Sequence, residues 1–369
     1  MTGVRALRAR LGPLEVGEGL PVRIMGAMNA SPESFYIGSL VRSPAEAVAT
    51  ASRMLEEGAD LIDVGGMSTA PYVESRAVPP EVEASRVVPL VSALKRELGA
   101  VVSVDTVRAS VAEAALAAGA DAVNDVSGCK ADPLMARTIA SHGASAVVGI
   151  REEETATSGS PVLSARSGLA ESLRICGSAG VDAGLIVLDP GIGFFRGTGV
   201  EWYERDSEVL GGIRRLLPLL RPILVGVSRK SFIGRILGIR DPRDRLTGTV
   251  AAEAIAVFAG AHAIRAHDVQ EAAQAARLGE ALRPRLNASG DAIEVTRFLE
   301  PEDGWTPGDR FFAVLASGGE LGGALESVGG RALEVAPGAI LVRIPAGRCP
   351  DLGGSGIRAL ESIADICTR

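Results

Sequence analysis

Lysine is nearly absent from this chain: among 38 basic residues, only Lys95, Lys130 and Lys230 are lysines. Asparagine (Asn29, Asn124, Asn287) and histidine (His142, His262, His267) are just as scarce. Arginine has drifted in for lysine across the composition, so a lysine or asparagine kept in an odd local setting carries extra chemical weight. No apolar stretch reaches 18 residues, which excludes a membrane-spanning helix. The opening MTGVRALRARLGPLEVGEG has arginines but no apolar core, so no secretory signal is expected. Cys129, Cys176, Cys349 and Cys367 form no CxxC pair, which disfavours a zinc site or disulfide framework and fits a reducing cytoplasm. A net charge of −7 argues against a surface for nucleic acid or another polyanion. Disorder is excluded as well, because 47% of the residues are hydrophobic.

What is present is a repeating pattern. Short β-type apolar runs recur at 22–29, 60–66, 100–106, 121–128, 145–151, 185–191, 222–228 and 261–268. The spacing leaves room for a crossover helix between parallel strands. Helical periodicity fills the gaps at 43–59, 110–120, 131–142, 167–179, 205–218, 247–259 and 269–282. Ser43, Pro44 and Glu46 predict a capping box at one helix start, and Ser110 with Glu113 predicts another. Eight such units match a (β/α)₈ TIM barrel over residues 1–285. A doubly wound open sheet is the alternative, disfavoured because no GxGxxG follows the first run. Residues 286–369 are Gly-rich, with apolar strands at 311–317 and 339–345, and read as a small α+β appendage for packing or oligomerisation.

In a barrel of this kind the reactive face lies at the C-terminal ends of the strands. Polar residues gather there: Asn29, Ser68 and Thr69, Asp105, Asn124 and Asp125, Asp189, Ser228 to Ser231, and Arg265, His267 and Asp268. Only the fifth run, ending in GIREEE, offers nothing distinctive. The opposite ends carry small residues such as Gly58-Ala59 and Gly119-Ala120. Asp105, Asp189 and Asn124 can pair with a flat, amidine-bearing ring, because two acceptors meet two coplanar donors. Lys230, Arg265 and His267 would form a cationic side across the mouth, suited to phosphate. Asn29 offers a neutral oxygen to a magnesium ion that already has phosphate partners. Singly, each has a plainer reading: Asp189 could start a turn before Pro190-Gly191, and Asn124 could cap a helix.

Together these segments resemble the dihydropteroate synthase family of pterin-binding (β/α)₈ enzymes. MGAMNASPESFYIGS (25–39) is similar to the family's first-strand signature, and DVGGMSTAP (63–71) to its second. SVDT (103–106), VNDVSG (123–128), LDPGIGF (188–194), VGVSRKSFIG (225–234) and IRAHDV (264–269) follow in the family's order. The resemblance covers 22–280 and is most specific in the first signature and in SRKSFIG. It implies that Asn29 ligates Mg²⁺ beside a substrate diphosphate, and that Asp105, Asn124, Asp189 and Lys230 hold the pterin ring. It further implies that Thr69, Arg265 and His267 contact the diphosphate, with Ser231 next to the p-aminobenzoate carboxylate.

Three positions depart from the family pattern. Ala70 replaces a loop arginine, Phe195-Arg196 replace a glycine and lysine, and GIREEE (149–154) replaces a Met-His-Met type strand end. Arg76 or Arg196 could compensate for the missing guanidinium. The implied reaction joins a dihydropterin methyl diphosphate to an arylamine. Mg²⁺, Arg265 and His267 would stabilise the departing charge, with Lys230 at the ring. An arylamine is already nucleophilic, in keeping with the absence of a Ser-His-Asp triad. Two rivals stand beside this reading: a methyl-pterin corrinoid methyltransferase, and a non-catalytic pterin binder. The expected partners are small molecules and a second copy of the chain.

Overall fold

The computed structural model describes residues 7–31, 40–67, 78–150, 160–195, 200–299, 308–326, 328–348 and 357–367. A hairpin, β1 (Arg8–Leu11) and β2 (Leu14–Gly17), precedes eight parallel strands. These are β3 (Arg23–Asn29), β4 (Leu61–Gly65), β5 (Val102–Asp105), β6 (Ala122–Asp125), β7 (Ser145–Val148), β8 (Ile186–Leu188), β9 (Leu224–Val225) and β10 (Ala263–Ala266). They pair in the order β8-β7-β6-β5-β4-β3-β10-β9. A parallel bridge between Leu188 and Ile223, with Leu188 N–H donating to Pro222 O at 2.9 Å, joins the two ends. The sheet is therefore a barrel and not an open doubly wound sheet, and each expected apolar run supplies one of its strands.

The strands are buried on both faces, as parallel strands under helices must be. Side chains alternate along each strand. Met25, Leu61, Ala122, Val147, Val187, Leu224 and Ala263 meet inside the barrel, while Ile24, Ile62, Val64, Val102 and Val104 join the outer core against the helices. Ala9, Leu11 and Val16 of the hairpin belong to the inner cluster, so the hairpin closes the barrel floor. Glu18, just beyond it, accepts from Arg283 and pairs with His262 Nε2 at 3.3 Å. Each hairpin strand has only four residues, interrupted by arginine and glycine, too short for periodicity to reveal.

Nine helices follow the barrel strands among the described residues: α1 (Pro44–Glu56), α2 (Pro80–Leu98), α3 (Ala109–Ala117), α4 (Met135–His142), α5 (Pro161–Ser178), α6 (Trp202–Gly211), α7 (Ser231–Leu237), α8 (Leu246–Phe258) and α9 (Val269–Leu282). The start of α1 is capped as expected: Ser43 Oγ accepts from Glu46 N–H, and the Glu46 carboxylate accepts from the Arg42 amide. The box at Ser110 does not form. That helix begins a residue earlier, and the Ala109 amide is capped from outside by Asp132 at 2.9 Å. The expected helix over 205–218 is split into α6 and a 3₁₀ segment, Ile213–Leu219.

Beyond α9 lies an antiparallel sheet in the order β11-β12-β13-β15-β14. Its strands are β11 (Ala288–Ser289), β12 (Ala292–Glu294), β13 (Arg310–Leu315), β14 (Arg331–Ala336) and β15 (Ala339–Ile344). Phe311, Ala313, Ala339 and Leu341 pack into the barrel's outer core, and the sheet touches α5 and the 213–219 segment. The alternate residues Phe312, Val314, Ile340 and Val342 are covered by α10 (Gly318–Glu326) and α11 (Arg358–Cys367). Helix α10 arises from the Gly-rich run, where composition alone suggested no helix.

Candidate active site

The inward-pointing residues of the upper barrel are polar where those below are apolar. Asp63 on β4 is fully buried and lies two residues above Leu61, so strand alternation turns it to the axis. Its Oδ2 accepts from Arg265 Nε at 2.6 Å and from Asn124 Nδ2 at 2.9 Å. Arg265 Nη2 reaches on to Asp105 Oδ2 at 2.9 Å. Asp63 was absent from the expected site residues, although an aspartate inside LIDVGG, in phase with Leu61 and Gly65, was a readable signal.

This geometry revises the expected layout. Arg265 does not face the carboxylates across an open mouth but is clamped between two of them. Burial works against its charge, yet Asp63 and Asp105 outweigh that and raise its pKa. Burial pushes the Asp105 carboxyl up to about 7, with Arg265 opposing and Asp63 adding repulsion. His267, in contrast to Arg265, is no cation. Burial, followed by repulsion from Arg265, Arg229 and Lys230, pushes its pKa down to about 3, and Nδ1 lies 3.0 Å from Ser228 Oγ. Burial beside three cations disfavours a fourth positive charge, so the imidazole is neutral.

Asp189 and Lys230 form the second half of the site. Asp189 does start a turn, its Oδ1 accepting from Gly191 N–H at 2.8 Å, and it also lies in the field of Lys230. Gly191 and Gly193 both take left-handed backbone (φ +69° and +89°). A Cβ on Gly193 would lie 2.4 Å from Lys230 Cδ, so only glycine lets the lysine pass. The ammonium donates to Ile192 O and lies 4.2 Å from the Phe194 ring centroid. Burial lowers the Lys230 pKa to about 8 despite Asp189 and Asp206.

The loop carrying Lys230 is fixed by its neighbour. Arg229 takes a left-handed φ of +55°, strained for a side-chain-bearing residue. It is held there by a two-pronged pair with Asp268, both contacts 2.8 Å. Thr249 Oγ1 also accepts from its amide, and Arg245 donates to its carbonyl. Ser231 then begins α7.

Asn29, Gly65 and Asp105 sit in register on three adjacent strands. A Cβ on Gly65 would lie 3.7 Å from both Asn29 Oδ1 and Asp105 Oδ2, so the glycine keeps a gap between them. Asp63 Oδ1, Asp105 Oδ1 and Asn124 Oδ1 are buried and accept no hydrogen bond from the described residues. Three such acceptors in one pocket are costly, about 1–3 kcal/mol each, unless a ligand with several N–H donors occupies it. Asp125 is not among them: its two oxygens hold the Ser127 and Cys129 amides. Thr69, with Ser68, Ala70, Arg76, Arg196 and the acidic stretch 151–154, lies outside the described residues.

A closed parallel barrel with a polar, donor-seeking mouth at its strand C-termini defines a small-molecule enzyme. Its sequence matches the pterin binding enzymes over residues 25–267. The chain belongs to the dihydropteroate synthase family. It is 38% identical over 268 residues to dihydropteroate synthase of Bacillus subtilis, covering 72% of this chain and 90% of that one. The fold is similar to Coxiella burnetii dihydropteroate synthase in complex with pteroic acid (31% identity, TM-score 0.65, 75% and 98% covered). It is also similar to the Xanthomonas albilineans enzyme with 4-aminobenzoic acid (32% identity, TM-score 0.66, 76% and 98% covered).

Proposed function

We propose that the barrel mouth condenses (7,8-dihydropterin-6-yl)methyl diphosphate with p-aminobenzoate, releasing 7,8-dihydropteroate and diphosphate. The observation that carries this reading is the trio of buried acceptors, on Asp63, Asp105 and Asn124, that receive no donor from the described residues, with Lys230 and Asp189 within their electrostatic reach. A dihydropterin supplies the matching row of N–H donors. Asp105, Asn124 and Asp189 accept from the ring edge, and Lys230 donates to it. The C–O bond to diphosphate breaks, the C–N bond to the arylamine forms, and one amine proton leaves to solvent. Arg265 lends positive potential to the mouth while tied to Asp63 and Asp105. His267 serves as a neutral hydrogen-bond donor at the diphosphate, and Ser231 at the start of α7 meets the arylamine carboxylate. Incubation with both substrates and Mg²⁺ should release one diphosphate per dihydropteroate formed. Pterin binding without any diphosphate release would leave only a binder.

Magnesium fits this site as a companion of the substrate. Among the described residues no cluster of three His, Cys, Asp or Glu side chains could hold a metal alone. A neutral amide oxygen at Asn29, next to the gap above Gly65, suits an ion whose other ligands are phosphate oxygens and water. Bound there, Mg²⁺ would neutralise charge on the leaving diphosphate. Asn29→Ala should therefore raise the Mg²⁺ concentration needed for half-maximal rate several-fold, leaving affinity for free dihydropterin nearly unchanged. Equal weakening of both ligands, measured by titration calorimetry, would make Asn29 a ring or scaffold residue.

The working form we infer is a homodimer in the cytoplasm. Ile255 and Phe258 on α8, and Leu278 and Leu282 on α9, are each 46–63% exposed on two packed helices. Apolar side chains grouped in this way mark an interaction surface. Sedimentation equilibrium should give twice the chain mass, and Phe258→Asp with Leu282→Asp should halve it. A monomeric wild-type chain would refute this assembly.

A further inference from the structure

The site description gives no role to the buried charge of Asp206. Asp206 lies on α6 in phase with Val209 and Leu210, the apolar residues that turn that helix toward the barrel, and it is fully buried. A carboxylate on such a face costs several kcal/mol unless something in the interior compensates. Its Oδ1 accepts from the Gly193 amide at 2.9 Å. The same glycine borders Lys230, since a Cβ there would lie 3.3 Å from Nζ. On the preceding residue, Ile192 O accepts from that ammonium. One backbone turn is thus held by the carboxylate on its amide side and by the lysine on its carbonyl side.

An asparagine would accept the same amide hydrogen without the cost of a buried charge. The groups facing Lys230 are Asp189 from the end of β8, Asp206 from α6, and Asp105 and Arg265 from β5 and β10, with His267 beyond. Asp105 is already paired with Arg265. On the reading of the site given above, Asp189 is engaged by the donors of the ring once ligand binds. Asp206 stands behind the turn, where a ligand in the mouth does not take up its charge. We propose that Asp206 is a positioning residue whose charge holds Lys230 as an ammonium while the ring occupies Asp189, and whose hydrogen bond sets the turn that Lys230 crosses. This rests on the pterin reading for the ligand, but not for the effect on the lysine itself.

The scarcity of lysine makes the test direct. With only Lys95, Lys130 and Lys230 present, ¹³Cε-lysine labelling yields three resonances, and Lys230→Arg identifies the third by its loss. In Asp206→Asn, which keeps the amide acceptor but removes the charge, the Lys230 midpoint should fall by about one pH unit. Affinity for 7,8-dihydropterin should fall with it, several-fold at pH 8 and less at pH 7. A midpoint identical to wild type would overturn the proposal and leave Asp206 a scaffold residue. Should Asp206→Asn not fold, Asp189→Asn carries the test: with Asp206 intact, Lys230 stays charged at pH 7, and loss of that charge overturns the proposal. A wild-type chain that binds no dihydropterin, with Asp206→Asn still lowering the Lys230 midpoint, would sink the ligand reading and sustain this one.

Discussion

Lys230→Ala should lower dihydropterin affinity and turnover by at least about a hundredfold while the chain stays folded. A desolvated ammonium donating to a bound ring is worth about 1.5–3 kcal/mol, and its loss strands the ring acceptor it served. The fold should survive because the lysine is not what holds its loop. Arg229 does that, through Asp268, Thr249 and Arg245. In the wild-type protein, burial pushes the Lys230 pKa down to about 8. The sign of the pH effect follows. Binding needs the charged form, so in the wild-type protein affinity should fall toward tenfold per unit as pH rises above about 8. In Lys230→Ala that alkaline limb should vanish. Calorimetric titration from pH 6 to 10 checks both statements, and wild-type affinity in the variant would remove Lys230 from the ring site.

The second large effect is expected at Asp63, which anchors two other side chains of the site. Asp63→Ala removes the shared acceptor of Arg265 and Asn124, both within 2.9 Å of it. Breaking a buried pair by deleting one partner typically costs about 3–5 kcal/mol. Here Arg265 retains Asp105, so the lower end applies to stability. Catalysis should suffer more. Asn124 loses the bond that orients its amide, and Arg265 is free to swing onto Asp105 and occupy both carboxylate oxygens. We expect a denaturant midpoint lower by about 3 kcal/mol equivalent, with turnover reduced by two orders of magnitude or more. Asp63→Asn should recover part of the stability, because it restores an acceptor for Asn124. An unshifted midpoint with normal turnover would make Asp63 incidental to the site.

Much of the architecture was legible because parallel strands covered by helices must be apolar on both faces. Each of the eight runs stands out as a short, mainly apolar stretch, and each is a barrel strand. Helix ends were less legible. The cap at Ser43 is a local bond between residues three apart, while that of α3 comes from Asp132, more than twenty residues away. The floor hairpin escaped notice for a related reason: its strands are four residues long and gain their meaning only against the barrel interior.

By itself the sequence determined that eight strand–helix units repeat, that polar residues collect where the strands end, and which side chains those are. These follow from periodicity and chain order, which are local and survive in one dimension. Only the tertiary structure decided which charges meet. Asp63 and Arg265 are about two hundred positions apart, yet barrel closure sets them 2.6 Å from each other and turns an expected free cation into a clamped one. It likewise left His267 neutral and set Asp206 behind Lys230. The physical reason is that the charge state of a buried group depends on its solvation and on neighbours in space, and neither is written in the spacing of residues along the chain.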